Sequence, residues 1–296
     1  MKRLSFLLTL TSLSLAIASG DSSKPSQVFR LAWVRLRVTD MEKSRHFYKD
    51  ILELREFPTR CLSSEAACYW VNFTQKIELI PATNPEKTGP DGIGFFTSDV
   101  KRMRRYFQTR GLKPSATVRT QGGTQYFEVR DPEDHLVVLM DNPESGSYVF
   151  SPLSSDMIHS GFVVQDRAAE DRFYKDVLGF HVYWHGGMKD DETNWVDMQV
   201  PDGTDWIEYM LNVPANADHH TLGVMNHIAL GVPDIKAARE QLIKNGWTGT
   251  EQPKIGRDGK WQLNLYDPDD TRVELMEFTP TQKPCCSEYT GPHPKP

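Results

Sequence analysis

Four stretches of this chain share one shape: an alternating apolar run, an aspartate, then an amphipathic segment of helical period. They are WVRLRVTDMEKSRHFYKDILEL from Trp33, GIGFFTSDVKRMRRYFQTRGLK from Gly92, HSGFVVQDRAAEDRFYKDVLGF from His159 and HIALGVPDIKAAREQLIKNGW from His227. A repeated unit constrains the fold more than any local signal, because each copy must bury its apolar face against another copy. Asp40, Asp99, Asp166 and Asp234 stand where a helix N-cap is needed, since a carboxylate there takes an orphan backbone N–H of the first turn. In the third copy Phe173, Val177 and Phe180 recur at helix spacing. Strand-like runs follow every helix: CYWVNF and KIELI, TQYFEV and HLVVLM, NWVDMQV and DWIEYML, KWQLNLY and RVELMEF. Asp131-Pro132 and Asp267-Pro268 mark turns before the last strands of copies two and four. The unit is therefore strand–helix–three strands.

The copies alternate in kind. Odd copies carry FYKD followed by Ile-Leu or Val-Leu, and even copies carry the Asp-Pro turn. The expected pairing is one with two and three with four. At 296 residues the chain is long enough for two such domains. The expected boundaries are a leader at 1–20, an N-terminal domain at 30–143, a linker at 144–155, a C-terminal domain at 156–278 and a Pro-rich, Cys-containing tail at 279–296.

Aligning the copies on their aspartate puts Trp33, Gly92, His159 and His227 at one first-strand position. The corresponding last-strand position holds Glu78, Val138, Glu208 and Glu274. Each His opens its run seven residues before an Asp, and the two Glu follow their His by 49 and 47 residues. Only copies three and four fill all four corners with ligand types. Two neutral imidazoles and two carboxylates suit one divalent first-row ion: Fe, Mn, Co, Ni or Zn. An octahedral ion would keep two positions for water or substrate. Glu208 is the least secure of the four, because Asp205 offers another carboxylate three residues earlier. Trp195, Trp206, Tyr209, Trp261 and Tyr266 are candidates for the walls of an aromatic substrate pocket; core packing is the competing role.

The formal charge of −6 and the lack of a basic stripe argue against nucleic acid as a partner. Lys2 and Arg3 precede the apolar run Leu4–Ala18, and small residues follow, which reads as a secretory signal peptide cut after Ala18 or Gly20. The expected product is secreted or periplasmic, with no stable membrane span after cleavage. Cys61 and Cys68 are placed to close a local disulfide. Cys285 and Cys286 are open to a vicinal bridge, another pairing or free thiols. Asn72-Phe73-Thr74 fits a glycosylation sequon.

These repeats resemble the vicinal oxygen chelate superfamily, which includes glyoxalase I, extradiol dioxygenases, methylmalonyl-CoA epimerase and the bleomycin and fosfomycin resistance proteins. The resemblance covers about residues 30–278. It implies an α+β fold in which four βαβββ modules pair into two cup-shaped mixed-sheet domains, with ligands on the first and last strands of each module. It also implies a metal-dependent enzyme acting on a small molecule. The full set His159, Glu208, His227 and Glu274 is most like glyoxalase-type lyases and isomerases, with Glu208 or Glu274 shuttling a proton. The alternative is extradiol ring cleavage by Fe(II) on the triad His159, His227 and Glu274. Against it, that group's signature has a His, then a Tyr two residues ahead of an Asp/Asn-Pro, before the final Glu. Here LNLYDPDDTRVE puts Tyr266 directly before Asp267 and carries no His. A further alternative is a non-catalytic binding protein of the resistance branch.

Overall fold

The computed structural model describes residues 24–57, 61–84, 87–121, 123–141 and 151–296. The expected leader at 1–20, and residues 144–150 of the expected linker, lie outside them. All four modules have the expected βαβββ order. The first runs β1 (Val28–Val38), α1 (Met41–Arg45, widening into a π-helix over His46–Ile51), β2 (Arg55–Glu56), β3 (Ala67–Trp70) and β4 (Lys76–Pro81). The second runs β5 (Gly89–Thr97), α2 (Val100–Thr109), β6 (Arg119–Gln121), β7 (Thr124–Arg130) and β8 (Leu136–Met140). The third runs β9 (Asp156–Val163), α3 (Arg167–Asp171, widening into a π-helix over Arg172–Val177), β10 (His181–Gly186), β11 (Trp195–Gln199) and β12 (Trp206–Met210). A connecting helix, α4 (His219–Met225), leads to β13 (His227–Val232), α5 (Ile235–Lys244), β14 (Lys254–Ile255), β15 (Trp261–Tyr266) and β16 (Arg272–Glu277).

Asp40, Asp99, Asp166 and Asp234 all cap their helices through the side chain. Strands assemble into two curled eight-stranded sheets, in the orders β2-β3-β4-β1-β5-β8-β7-β6 and β10-β11-β12-β9-β13-β16-β15-β14. Within a module the first and last strands run parallel, and the two modules of a sheet meet through antiparallel first strands. The helix-bearing faces share one apolar core that runs through both halves. Smaller clusters occupy the opposite faces.

The halves are joined by two equivalent junctions, which gives the odd–even alternation its physical reason. The Tyr of each FYKD donates its hydroxyl to the Asp of an Asp-Pro turn in the other half: Tyr48 to Asp267 at 3.0 Å and Tyr174 to Asp131 at 3.1 Å. The acid two residues after each Asp caps a backbone segment across the same junction. Asp269 takes Thr39 N at 3.0 Å, and Glu133 takes Gln165 N at 2.7 Å and Asp166 N at 2.6 Å. Odd modules supply the tyrosine and even modules the acids, so each kind has its partner in the other half.

Asn72 is buried at this boundary. Its amide donates to Gln75 Oε1 at 2.7 Å and to Ser155 O at 2.9 Å. The sequon asparagine is thus folded into the protein. Among the described residues no helix is long and apolar enough to cross a membrane.

Candidate metal centre

The central strands of the second sheet lie side by side as β12-β9-β13-β16. They carry Glu208, His159, His227 and Glu274 respectively. Strand alternation puts these side chains on the face away from the helices. Register then sets their spacing: Glu208 pairs with Gly161, His227 pairs with Gly161, and Ala229 pairs with both His159 and Glu274. Gly161 is what admits the second imidazole, because a Cβ there would collide with the His227 ring.

The four side chains converge. His159 Nε2 and His227 Nε2 are 3.0 Å apart. Glu208 Oε2 lies 3.0 Å from His227 Nε2 and 3.8 Å from His159 Nε2. Glu274 Oε2 lies 3.6 Å from His159 Nε2 and 3.8 Å from His227 Nε2. Met225 O, 2.9 Å from His227 Nδ1, is an acceptor that fixes a proton on that nitrogen and leaves Nε2 with a bare lone pair facing the cluster. Burial, and then the neighbouring His227, hold His159 well below the ordinary histidine range. Burial and Arg272 do the same to His227. Burial pushes Glu208 and Glu274 up to about 7, with Arg272 opposing in both cases. Two neutral imidazoles with Nε2 atoms in contact, beside two desolvated carboxylates, are the donor types that divalent first-row ions take. The residues fit a divalent ion.

A cavity of about 330 Å³ opens onto this cluster. Trp184, Trp195, Trp206, Met188 and Met276 form its apolar walls, and Asp197, Asn264, Gln262 and Arg272 are polar groups facing it. Of the five aromatic candidates, Trp195 and Trp206 line it. Trp206 stacks on His159 with centroids 4.8 Å apart. The other three do not. Tyr209 alternates with Glu208 and faces the helices, buried beside Tyr174 and Phe162. Trp261 packs against the helix-side core under the Lys236 ammonium. Tyr266, at the end of β15, lines a separate groove of about 680 Å³ with His46 and Trp247. Asp205, the alternative carboxylate, is buried at the boundary between the halves, where it accepts Leu31 N at 2.9 Å.

Arg272 and Asp197 were legible by parity, being two residues from Glu274 and Trp195; Asn264 faces the cavity because it is the register partner of Glu274, which the sequence alone does not show. Behind Trp206 the buried Lys260 ammonium lies 4.4 Å from that ring and is enclosed further by Tyr183 and Tyr289. Tyr289 belongs to the tail, which is ordered along β10. Thr290 N donates to Tyr183 O at 3.0 Å, Trp184 Nε1 to Cys285 O at 3.2 Å, and His293 bonds the Tyr183 hydroxyl. Cys285 is bridged to Cys286, and Cys61 to Cys68.

The first sheet treats the same positions differently. Trp33 packs with Leu136, Val138 and Met140 in an apolar cluster. Glu78 accepts Trp33 Nε1 at 3.2 Å and Leu62 N at 2.7 Å. An indole N–H thus meets the carboxylate where the second sheet has an imidazole.

The sequence profile of the Glyoxalase/Bleomycin resistance protein/Dioxygenase superfamily matches residues 30–139 and 157–275. No curated protein matches the chain. Homoprotocatechuate 2,3-dioxygenase from Brevibacterium fuscum, solved with 3,4-dihydroxyphenylacetate, is similar with TM-score 0.63 and 18% identity, over 91% of this chain and 84% of that one. The same enzyme from Arthrobacter globiformis gives TM-score 0.64 and 19% identity, over 86% of this chain and 81% of that one. With its profile matched in both halves and four βαβββ modules paired into two curled sheets, the chain belongs to the glyoxalase/bleomycin resistance/dioxygenase superfamily.

Proposed function

We propose that this protein is a divalent-metal-dependent enzyme that cleaves the ring of a small aromatic diol with dioxygen, as extradiol dioxygenases do. The observation that carries the reading is the convergence of His159, His227, Glu208 and Glu274 at the edge of a tryptophan-walled cavity. Similarity to solved dioxygenases over most of both chains supports ring cleavage above the lyase reading favoured by ligand pattern alone.

When bound, a ferrous ion held by His159, His227 and Glu274 would supply Lewis acidity toward substrate oxygens and electron transfer between ring and dioxygen. The chain's own groups do the rest. Trp184, Trp195 and Trp206 hold a planar ring and exclude water. Glu208, a carboxylate 3.0 Å from His227 Nε2 at the cavity edge, accepts a proton from a substrate hydroxyl. The Arg272 guanidinium offsets the negative charge that ionisation creates. Both atoms of dioxygen enter the product, so no external reductant is consumed.

Glyoxalase-type proton transfer is the second reading, and one observation favours it. Glu208 Oε2 is as close to His227 Nε2 as the two imidazoles are to each other, which suits a four-ligand site. Oxygen uptake by Fe(II)-loaded protein with catechol separates the two. Uptake with a ring-opened chromophore, lost in His227→Ala but with iron retained in Glu208→Ala, supports the dioxygenase. Oxygen-independent isomerisation of an α-hydroxycarbonyl compound, with metal lost in Glu208→Ala, supports the lyase. Metal content unchanged in His227→Ala overturns both.

We also propose export. The leader-like first twenty residues support it, and the two cysteine bridges suit an oxidising compartment.

A further inference from the structure

The two junctions between the halves are built alike, yet their chemistry differs at two positions. In one, Asp267 Oδ1 accepts Thr271 N at 2.9 Å. In the other, Asp131 Oδ1 accepts His135 N at 2.8 Å. His135 therefore stands where the twin has Thr271. The fourth residue after the helix cap Asp40 is Ser44, and the fourth after Asp166 is Glu170; both are fully buried. At the matching positions the first junction holds Asp267, Thr271, Ser44 and Asp269. The second gathers Asp131, His135, Glu170 and Glu133.

Three of those groups face each other: one ligand atom from each of Asp131, His135 and Glu170 lies within 4.8 Å of the other two. His135 Nδ1 is 2.8 Å from Asp131 Oδ2, and Tyr174 OH donates to that same oxygen. Glu170 Oε1 accepts Glu133 N at 3.1 Å. Glu170 Oε2 is buried with no hydrogen-bond partner among the described residues. No Lys or Arg is ion-paired with Asp131, Glu133 or Glu170 among the described residues. Two adjacent buried carboxylates with one orphaned oxygen and no fixed counter-charge are costly as they stand. A dication removes that cost, and an imidazole with two carboxylates is a donor set for zinc, manganese or cobalt.

We propose that Asp131, His135 and Glu170 form a second divalent-cation site, separate from the His/Glu quartet. It would clamp the N-terminal half, through Asp131 and His135, to the C-terminal half, through Glu170. Water would complete the coordination, because the three side chains give fewer ligands than a tetrahedral or octahedral ion takes.

Zn2+ added to chelator-stripped full-length protein tests this, with bound metal counted after desalting and thermal midpoints recorded in parallel. Wild type is expected to hold two ions, His135→Thr one, and His227→Ala one. His135→Thr installs the residue that stands at this position in the twin junction, and Glu170→Gln supplies a second variant that keeps the side-chain volume. In the His227→Ala background, Zn2+ should raise the thermal midpoint. Adding His135→Thr or Glu170→Gln should abolish that rise and weaken binding on the order of 100-fold. Equal zinc content and equal midpoint shifts with and without His135→Thr would overturn the site. So would a zinc-free His227→Ala protein, whose Glu170 would then carry a proton in place of the ion. Failure of the quartet alone reads differently: one ion in wild type and none in His135→Thr.

Discussion

At the scale of single residues, the centre depends as much on a missing side chain as on the four donors. Gly161 is the register partner of both Glu208 and His227, and its Cα faces the His227 ring. Gly161→Ala is expected to push that ring out of line and to cost about 1–3 kcal/mol of stability from overpacking. Affinity for the quartet's ion should fall about 10–100-fold. Titration with Co2+, whose visible bands report its ligands, checks this, and unchanged bands and affinity would refute it. The convergence of the quartet was readable because a repeat supplies its own alignment: four copies in register show which two carry His and Glu at both positions. The aromatic candidates were not separable in that way. Trp206 and Tyr209 are three residues apart on β12 and so point to opposite faces, and nothing in their own types says which face is the cavity. Fixing Glu208 as inward decides both: Trp206 shares its parity and Tyr209 does not.

At the scale of elements, the aspartate that marks each module was the most dependable local signal, because an N-cap is a short-range interaction. Asp234 takes both Lys236 N and Ala237 N, so Asp234→Ala should lower unfolding stability by about 1 kcal/mol without altering metal content. Urea denaturation measures this, and a change below a few tenths of a kcal/mol would show that the cap does not matter. Two element features escaped the sequence. The FYKD helices widen to π geometry over His46–Ile51 and Arg172–Val177, where consecutive Phe and Tyr side chains are both buried. The tail at 279–296 reads as Pro-rich, yet it runs along β10 and covers Tyr183 and Lys260, because its contacts are with residues up to about a hundred positions earlier. Deleting residues 284–296 should uncover Trp184 and the Lys260 ammonium, shifting tryptophan emission to the red and weakening retention of small molecules in the cavity. An unchanged emission spectrum would mean that the strap does not shield these rings.

At the scale of the whole molecule, the odd–even alternation was visible in sequence, but its cause was not, since Tyr48 and Asp267 are 219 residues apart. Their junction makes stability depend on pH in a direction that can be worked out. Burial pushes the Asp267 carboxyl up to about 6 from an ordinary value of 3.8, despite the hydrogen bonds from Asp269 N, Thr271 N and Tyr48 OH that favour its charged form. Between those two values the folded chain holds a proton at Asp267 that the unfolded chain has released. Its contribution to stability is therefore greatest below about pH 4, declines as pH rises, and is flat above about pH 6. Other carboxylates titrate in the same window, so the useful quantity is the difference from Asp267→Asn, which keeps an oxygen acceptor for the Asp269 and Thr271 amides but cannot ionise. Relative to wild type, that variant should gain about 2 kcal/mol of stability between pH 4.5 and pH 7. Chemical denaturation of both proteins across that range measures the gap. A gap independent of pH would show that Asp267 titrates in the folded protein as it does in the unfolded chain.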